Sequence, residues 1–443
     1  MQRKKMMHLG VFSQDVGHLV SAWRHPGVPA GGGMDARFHK QFAQTAERGK
    51  LDMIFFGDQM APMYPEDEAL GGTSRVLRLE PTALIAALSC VTEHLGLVAT
   101  VSMAYFEPFH IARKFATLDQ LSGGRTGWNM VTSFEEREAL NFNVGKVSPP
   151  ALRYKRAHEF ASVVKGLWDS WDDDAFLRNK ASGQFFDPEK LHVLDHQGEF
   201  YASRGPLNIP RSVQGAPVLF QAGSSGPGRD FAAAFAEVVF TAQSVLRDGQ
   251  AFYQEIKANA MEAGRSPEQV KVMPGVMCFI GRTEREAAEK FEHLQSLITP
   301  EVGWIVVKKH LGVDISGLPL DEPLPELQAS TGQLSRQYML IEAAKRDKLT
   351  VRQFYQRYAG SRGHHVLIGT ASQVADTLEA WVDQEAADGF NLMIPWAPGG
   401  LDDVVDLLVP ELQRRGRFRR EYTGTTLRSN LGLDVPASRY ARP

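Results

Sequence analysis

The 443-residue chain is short of several things, and each shortage excludes a class of protein. It has two cysteines, Cys90 and Cys278. Each sits in an apolar stretch, so two buried reduced thiols are expected rather than a disulfide or a metal pair. No apolar run reaches the roughly 18 residues a membrane span needs. The basic start, "MQRKKMMHLGVF", has too short an apolar core for a signal peptide, and a cytoplasmic protein is expected. Neither charge sign dominates. The formal net charge is −3, which leaves no global footprint for nucleic acid or another polyanion. No GxGxxG follows the first apolar run, and HExxH, CxxC and GxSxG are all missing. His364 and His365 are adjacent and do not easily face one metal, so no metal site is expected.

What is present is an alternation. Apolar runs at 6–12, 51–58, 95–103, 126–133, 217–225, 237–243, 270–281 and 390–395 read as strands, with amphipathic stretches between them. Most of the runs are continuously apolar, as in strands buried on both faces. Eight such units predict a (β/α)8 TIM barrel, with a doubly wound open sheet as the alternative. The expectation is one domain over 1–443, with insertions near 172–215 and 300–350. At 43% hydrophobic and 23% charged, the composition can bury a large core.

The strand ends are where chemistry is expected, because barrel enzymes work at that face. Asp58, Ser102, Asn129 to Ser133, and Ser224 with Ser225 all fall there. Asn129 and Trp128 in "TGWNMVTS" are odd for a plain core strand and read as pocket lining. A buried Asn satisfied by backbone is an equally good reading of Asn129 taken alone. "QAGSSGPGRDFAA" (221–233) carries a strand into a Ser/Gly loop that opens a helix. That arrangement suits a phosphate, although an ordinary capped turn has the same composition. His18 and His25 lie in the loop after the first strand. His310 lies in the second insertion, the natural lid. Phe56, Tyr64, Tyr105 and Trp128 are candidates for an apolar substrate pocket. Arg24, Lys308 and Lys309 are available for an anionic substrate.

Eight segments, in order along the chain, are similar to the bacterial-luciferase-like flavin monooxygenases. The closest likeness is to the branch containing the nitrilotriacetate, EDTA and dibenzothiophene-sulfone monooxygenases. They include "AWRHP" (22–26), "ERGKLDMIFFGD" (47–58), "FHIARKFATLDQLSGGRTGWNMVTS" (109–133), "YKRAHEF" (154–160), "QAGSSGPGRDFAA" and "RGRFRREYTGTTLRSNLGL" (415–433). The resemblance implies a luciferase-like barrel that binds FMN noncovalently. It implies reduced FMN delivered by a separate NAD(P)H:FMN reductase. One atom of dioxygen is then inserted into a small organic substrate next to nitrogen or sulfur. A homodimer or homotetramer is expected, with no membrane or nucleic-acid partner. The family's FMN positions match Asp58, Ala104, Asn129, Tyr154, His158, Ser224 and Ser225. Ala104 departs from the Thr that relatives often carry, which removes a hydroxyl contact. A deazaflavin-dependent oxidoreductase and a non-catalytic flavin-binding protein are the alternatives on the same barrel.

Overall fold

The computed structural model describes residues 5–62, 71–223, 225–325, 344, 346–361 and 363–441, with the side chains at 309, 310 and 361 left aside. Nine strands form the main sheet. They are β1 (His8–Ser13), β2 (Met53–Phe56), β3 (Gly96–Ser102), β4 (Thr126–Val131), β5 (Val218–Gln221), β6 (Val238–Thr241), β7 (Lys271–Gly281), β8 (His365–Thr370) and β9 (Gly389–Met393). The parallel order β1-β2-β3-β4-β5-β6-β7-β9 returns to β1 and closes the barrel. All eight expected strands are in it. The ninth, β8, pairs with the far half of β7, from Val276 to Gly281, beyond the point where β9 leaves.

Helices alternate with the strands. They include α1 (Ala36–Arg48), α2 (Pro81–Ser89), α3 (Pro108–Ser122), α4 (Pro150–Trp168), α5 (Gly226–Phe235), α6 (Leu246–Glu262) and α7 (Glu284–Ser296). Local chemistry sets their starts. Asp35, Glu80, Ser225 and Thr283 each accept a backbone N–H of the first turn, and Pro opens α2, α3, α4 and α5. The stretch near 172–215 is mostly irregular, with one short antiparallel ladder at 196–197 and 202–203. The stretch near 300–350 is not irregular throughout. It opens with α8 (Pro300–Leu311), which packs on α9 (Val351–Ser361). A Cβ at Gly303 would lie 2.1 Å from the Tyr355 ring, so glycine sets that close approach.

Side chains alternate across each strand, and that alternation decides what reaches the site. The barrel interior holds Phe12, Phe55, Phe220 and Phe240, linked by ring separations of 5.2 to 6.1 Å. Gly127 and Asn129 face the same way, since a Cβ at Gly127 would meet the Phe220 ring at 2.6 Å. Trp128 therefore points outward. It is wholly buried among Phe115, Phe160 and Trp168, and its indole N–H donates to the Val101 carbonyl at 3.1 Å. Trp128 belongs to the strand–helix layer, which corrects its reading as pocket lining. Phe55 takes the inner face, and Phe56 turns toward His39 of α1, where it lines a small cleft with Gln14 and Arg78. Cys278 is buried as expected, which pushes its thiol up to about 12. Cys90 is exposed at the C-terminal end of α2, against expectation.

The basic tail is structural. Arg428 is 1% exposed; it pairs with both carboxylate oxygens of Glu237 and donates to the Ala216 carbonyl. Arg417 pairs with Asp383, and Arg419 with the fully buried Asp52. The backbone N–H groups of Met7 and Leu427 bond to Arg417 and Gly124. The tail thus ties the amino-terminal ends of the strands together.

Candidate active site

The carboxyl-terminal strand ends surround a chamber of about 370 Å³. Asp58, Val131, Glu138, Tyr154, Gln221 and Gly223 line it. Expected positions from three separate segments are thereby brought to one place. Asn129 lies directly below Val131 on the inner face of β4. Its Nδ2 donates to the Thr100 hydroxyl at 2.9 Å, while its Oδ1 is buried with no hydrogen-bond partner among the described residues. Gln221 Oε1 is in the same condition. Buried acceptors left this way are rare and call for a ligand or water.

Asp58 follows β2 at the chamber wall. Burial pushes its carboxyl up to about 6, with Glu80 and Glu138 adding to the rise. The Gln59 N–H and Arg78 oppose it. The loop that carries Asp58 is clamped from the segment after β4. Glu138 accepts the Met60 N–H at 3.0 Å, and Asn141 donates to the Met60 carbonyl at 2.8 Å.

Across the chamber, β5 runs into the start of α5. Ser225 caps that helix, its hydroxyl accepting the Gly228 N–H at 3.3 Å. The Tyr154 hydroxyl faces this turn. It lies 3.1 Å from where a Cβ at Gly223 would stand and 2.8 Å from one at Gly228. The result is a cradle of backbone N–H groups and two hydroxyls at a helix start, suited to a phosphate. His158, one turn along α4 from Tyr154, packs edge-on against Phe231 and Phe235, and burial lowers its pKa.

The other expected positions scatter. Ala104 lines a neighbouring cleft, its N–H donating to the Ser102 hydroxyl at 3.1 Å. His18 is buried beside Phe12 and His364, with ring separations of 5.7 and 6.2 Å. His25 sits farther out against Trp396 and His293. His310 is on α8, and its side chain lies outside the described residues, as do Tyr64 and Ser224. Among the described residues no group of three or more His, Cys, Asp or Glu could hold a metal, and no helix is long and apolar enough to cross a membrane. Glu138, Arg78, Gln221 and Arg153 were not anticipated. Arg153 adjoins the quoted "YKRAHEF", but nothing in its local sequence marks it out.

The profile described as luciferase-like monooxygenase matches residues 15–388. The chain belongs to the luciferase-like monooxygenase family. The N-acetyl-S-(2-succino)cysteine monooxygenase of Bacillus subtilis (strain 168) is 51% identical, over 99% of each chain. Nitrilotriacetate monooxygenase component A of Aminobacter aminovorans is 45% identical over the full length of both. The crystal structure of the riboflavin lyase RcaE, with modified FMN and riboflavin, superposes with a TM-score of 0.84 at 30% identity, covering 97% of each chain. Membership makes the chain a flavin-dependent monooxygenase and favours that reading over the deazaflavin and storage alternatives.

Proposed function

We propose that the chain is the oxygenase of a two-component system, one catalytic domain that takes reduced FMN from a separate NAD(P)H-dependent reductase. The observation that carries this is the pairing of the Asn129 Oδ1, buried and without a partner among the described residues, with the glycine-lined cradle beside Tyr154 and Ser225. An acceptor for a polar ring edge and a seat for a phosphate stand at one barrel mouth, and both fit FMN. Asn129, Asp58 and the Ala104 backbone would hold the ring end. Tyr154, His158, Ser224 and Ser225 would hold the phosphate end. Bound reduced FMN supplies two electrons, so that one atom of dioxygen becomes water and the other enters the substrate.

The chain's own residues orient and shield. The Phe12–Phe55–Phe240 cluster and the buried His18 floor the mouth and keep water out from below. The substrate proposed is a small organic molecule oxidised next to sulfur or nitrogen, with cleavage of the C–S or C–N bond. The names of the two relatives support this, one a thioether and the other a tertiary amine. The name "component A" supports a partner reductase. The chain has no dinucleotide fingerprint, so the purified, FMN-loaded protein is expected not to consume NADH until a flavin reductase is added. Rapid NADH oxidation by the protein alone would overturn the two-component reading.

A further inference from the structure

Beside the chamber lies a cleft of about 80 Å³ that shares Thr132 and Ser133 with it. Its wall is cationic and rich in hydroxyls: Tyr105, Ser133, Lys146, Ser148, Arg153 and Arg156. Arg156 is already engaged, stacked on Phe200 and Tyr201 and bonded to the Tyr201 hydroxyl. Arg153 is not. Its guanidinium makes no hydrogen bond or ion pair among the described residues, and its Nε is shut away from solvent. A buried guanidinium donor without an acceptor calls for a ligand. Of the other cations considered for substrate, Arg24 donates to the Leu297 carbonyl, Lys308 pairs with Asp314, and the side chain of Lys309 lies outside the described residues.

We propose that this cleft is an anion subsite in which Arg153 receives a carboxylate of the substrate, held beside the oxygenation chamber. The proposal rests on the reading of that chamber given above. The cleft is large enough for a carboxylate. A guanidinium presents parallel donors that match two carboxylate oxygens. Ser148 adds a hydroxyl at the rim, whereas the Ser133 hydroxyl already donates to that of Ser102 at 2.9 Å. Tyr105, stacked on Phe142 at 4.5 Å and hydrogen-bonded to Ser133, closes one side. Glu138, an acid that acts on Tyr105, accepts the Met60 N–H and forms no ion pair with Arg153 among the described residues. A phosphate is the other anion of similar size, but the cradle at Ser225 already suits it. The subsite thus selects for substrates that carry a carboxylate near the reacting sulfur or nitrogen.

The test uses wild-type protein and Arg153→Gln. Each is titrated calorimetrically with succinate and with N-acetyl-S-(2-succino)cysteine, with and without FMN present. FMN and riboflavin are titrated separately by flavin fluorescence. Wild type is expected to bind both carboxylates, and Arg153→Gln to bind them roughly ten- to a hundredfold more weakly. FMN affinity should be unchanged, which also reports an intact fold. Arg153→Lys should recover part of the carboxylate affinity. Absence of carboxylate binding to wild type would overturn the subsite, as would equal binding by Arg153→Gln. If Arg153→Gln loses affinity for FMN but not for riboflavin, Arg153 serves the flavin phosphate and the proposal fails. If wild type binds carboxylate but no FMN, the chamber reading fails while the anion subsite stands.

Discussion

Replacing Asp58 with Asn should stabilise the protein, and only above a defined pH. Asp58 shares its surroundings with Glu80, Glu138 and one cation, Arg78, and burial raises its carboxyl from 3.8 to about 6. A rise of that size corresponds to about 3 kcal/mol against the charged form. Asp58 is only partly buried, and solvent at the mouth reduces the figure to about 1–2 kcal/mol. The sign follows from proton binding. The folded state holds this proton more tightly than the unfolded chain, so its stabilising effect is full below pH 3.8. It is lost as pH rises toward 6, and stays lost above that. Asn mimics the protonated carboxyl. Arg78 keeps Asp15 and Glu138 as countercharges in the variant. Urea unfolding of both proteins at pH 4, 5, 6 and 7.5 should therefore give curves that coincide at pH 4 and separate by about 1–2 kcal/mol at pH 7.5. A difference independent of pH, or a variant less stable at pH 7.5, would refute the reasoning. On the proposed role of Asp58 beside the flavin ring, Asp58→Asn should at the same time weaken FMN binding.

Ser225→Ala should weaken FMN binding by roughly 1.5–3 kcal/mol, the range for a hydrogen bond to a charged phosphate, while riboflavin binding stays the same; equal losses for both flavins would place the phosphate elsewhere. Asn129→Ala should lower the thermal midpoint by only a few degrees, because one hydrogen bond is lost, from Nδ2 to the Thr100 hydroxyl, worth about 1 kcal/mol, while Oδ1 has no partner among the described residues. Product formed per reduced FMN consumed should fall on the order of a hundredfold as the reacting groups are misplaced. A lowered midpoint with coupling intact would make Asn129 a structural amide.

The barrel was legible because its strands are buried on both faces and so read as continuous apolar runs, with β1 and β3 clear examples. β8 escaped because it is only half-buried, pairs on one side with an extension of β7, and runs straight into the capped helix at Thr370. Strand position was readable, but strand phase was not. "TGWNMVTS" shows that an indole and an amide are adjacent, which puts them on opposite faces. Only the helices packed outside identify Trp128 as the outward one. Phe55 and Phe56 posed the same ambiguity. Cys90 looked buried because its neighbours are apolar, yet it falls just after the last turn of α2, on the solvent side. Asp58 and Ser225 stood out as polar groups at strand ends, and Tyr154 through the resemblance of its segment; the fold brings the three segments to one barrel mouth. Glu138 and Arg153 did not stand out, since a carboxylate that caps a distant N–H and an arginine left without a partner have no local signature.

The central claim is that one oxygen atom passes from dioxygen to substrate at the expense of reduced FMN. Photoreduced FMN, the protein, a member of the proposed substrate class (the thioether N-acetyl-S-(2-succino)cysteine) and ¹⁸O-labelled dioxygen, with no NADH or reductase present, test it directly by mass spectrometry of the products. The expected result is a product carrying a single ¹⁸O, formed in step with FMN oxidation. Labelled hydrogen peroxide alone, with the thioether recovered unoxidised, would contradict the account.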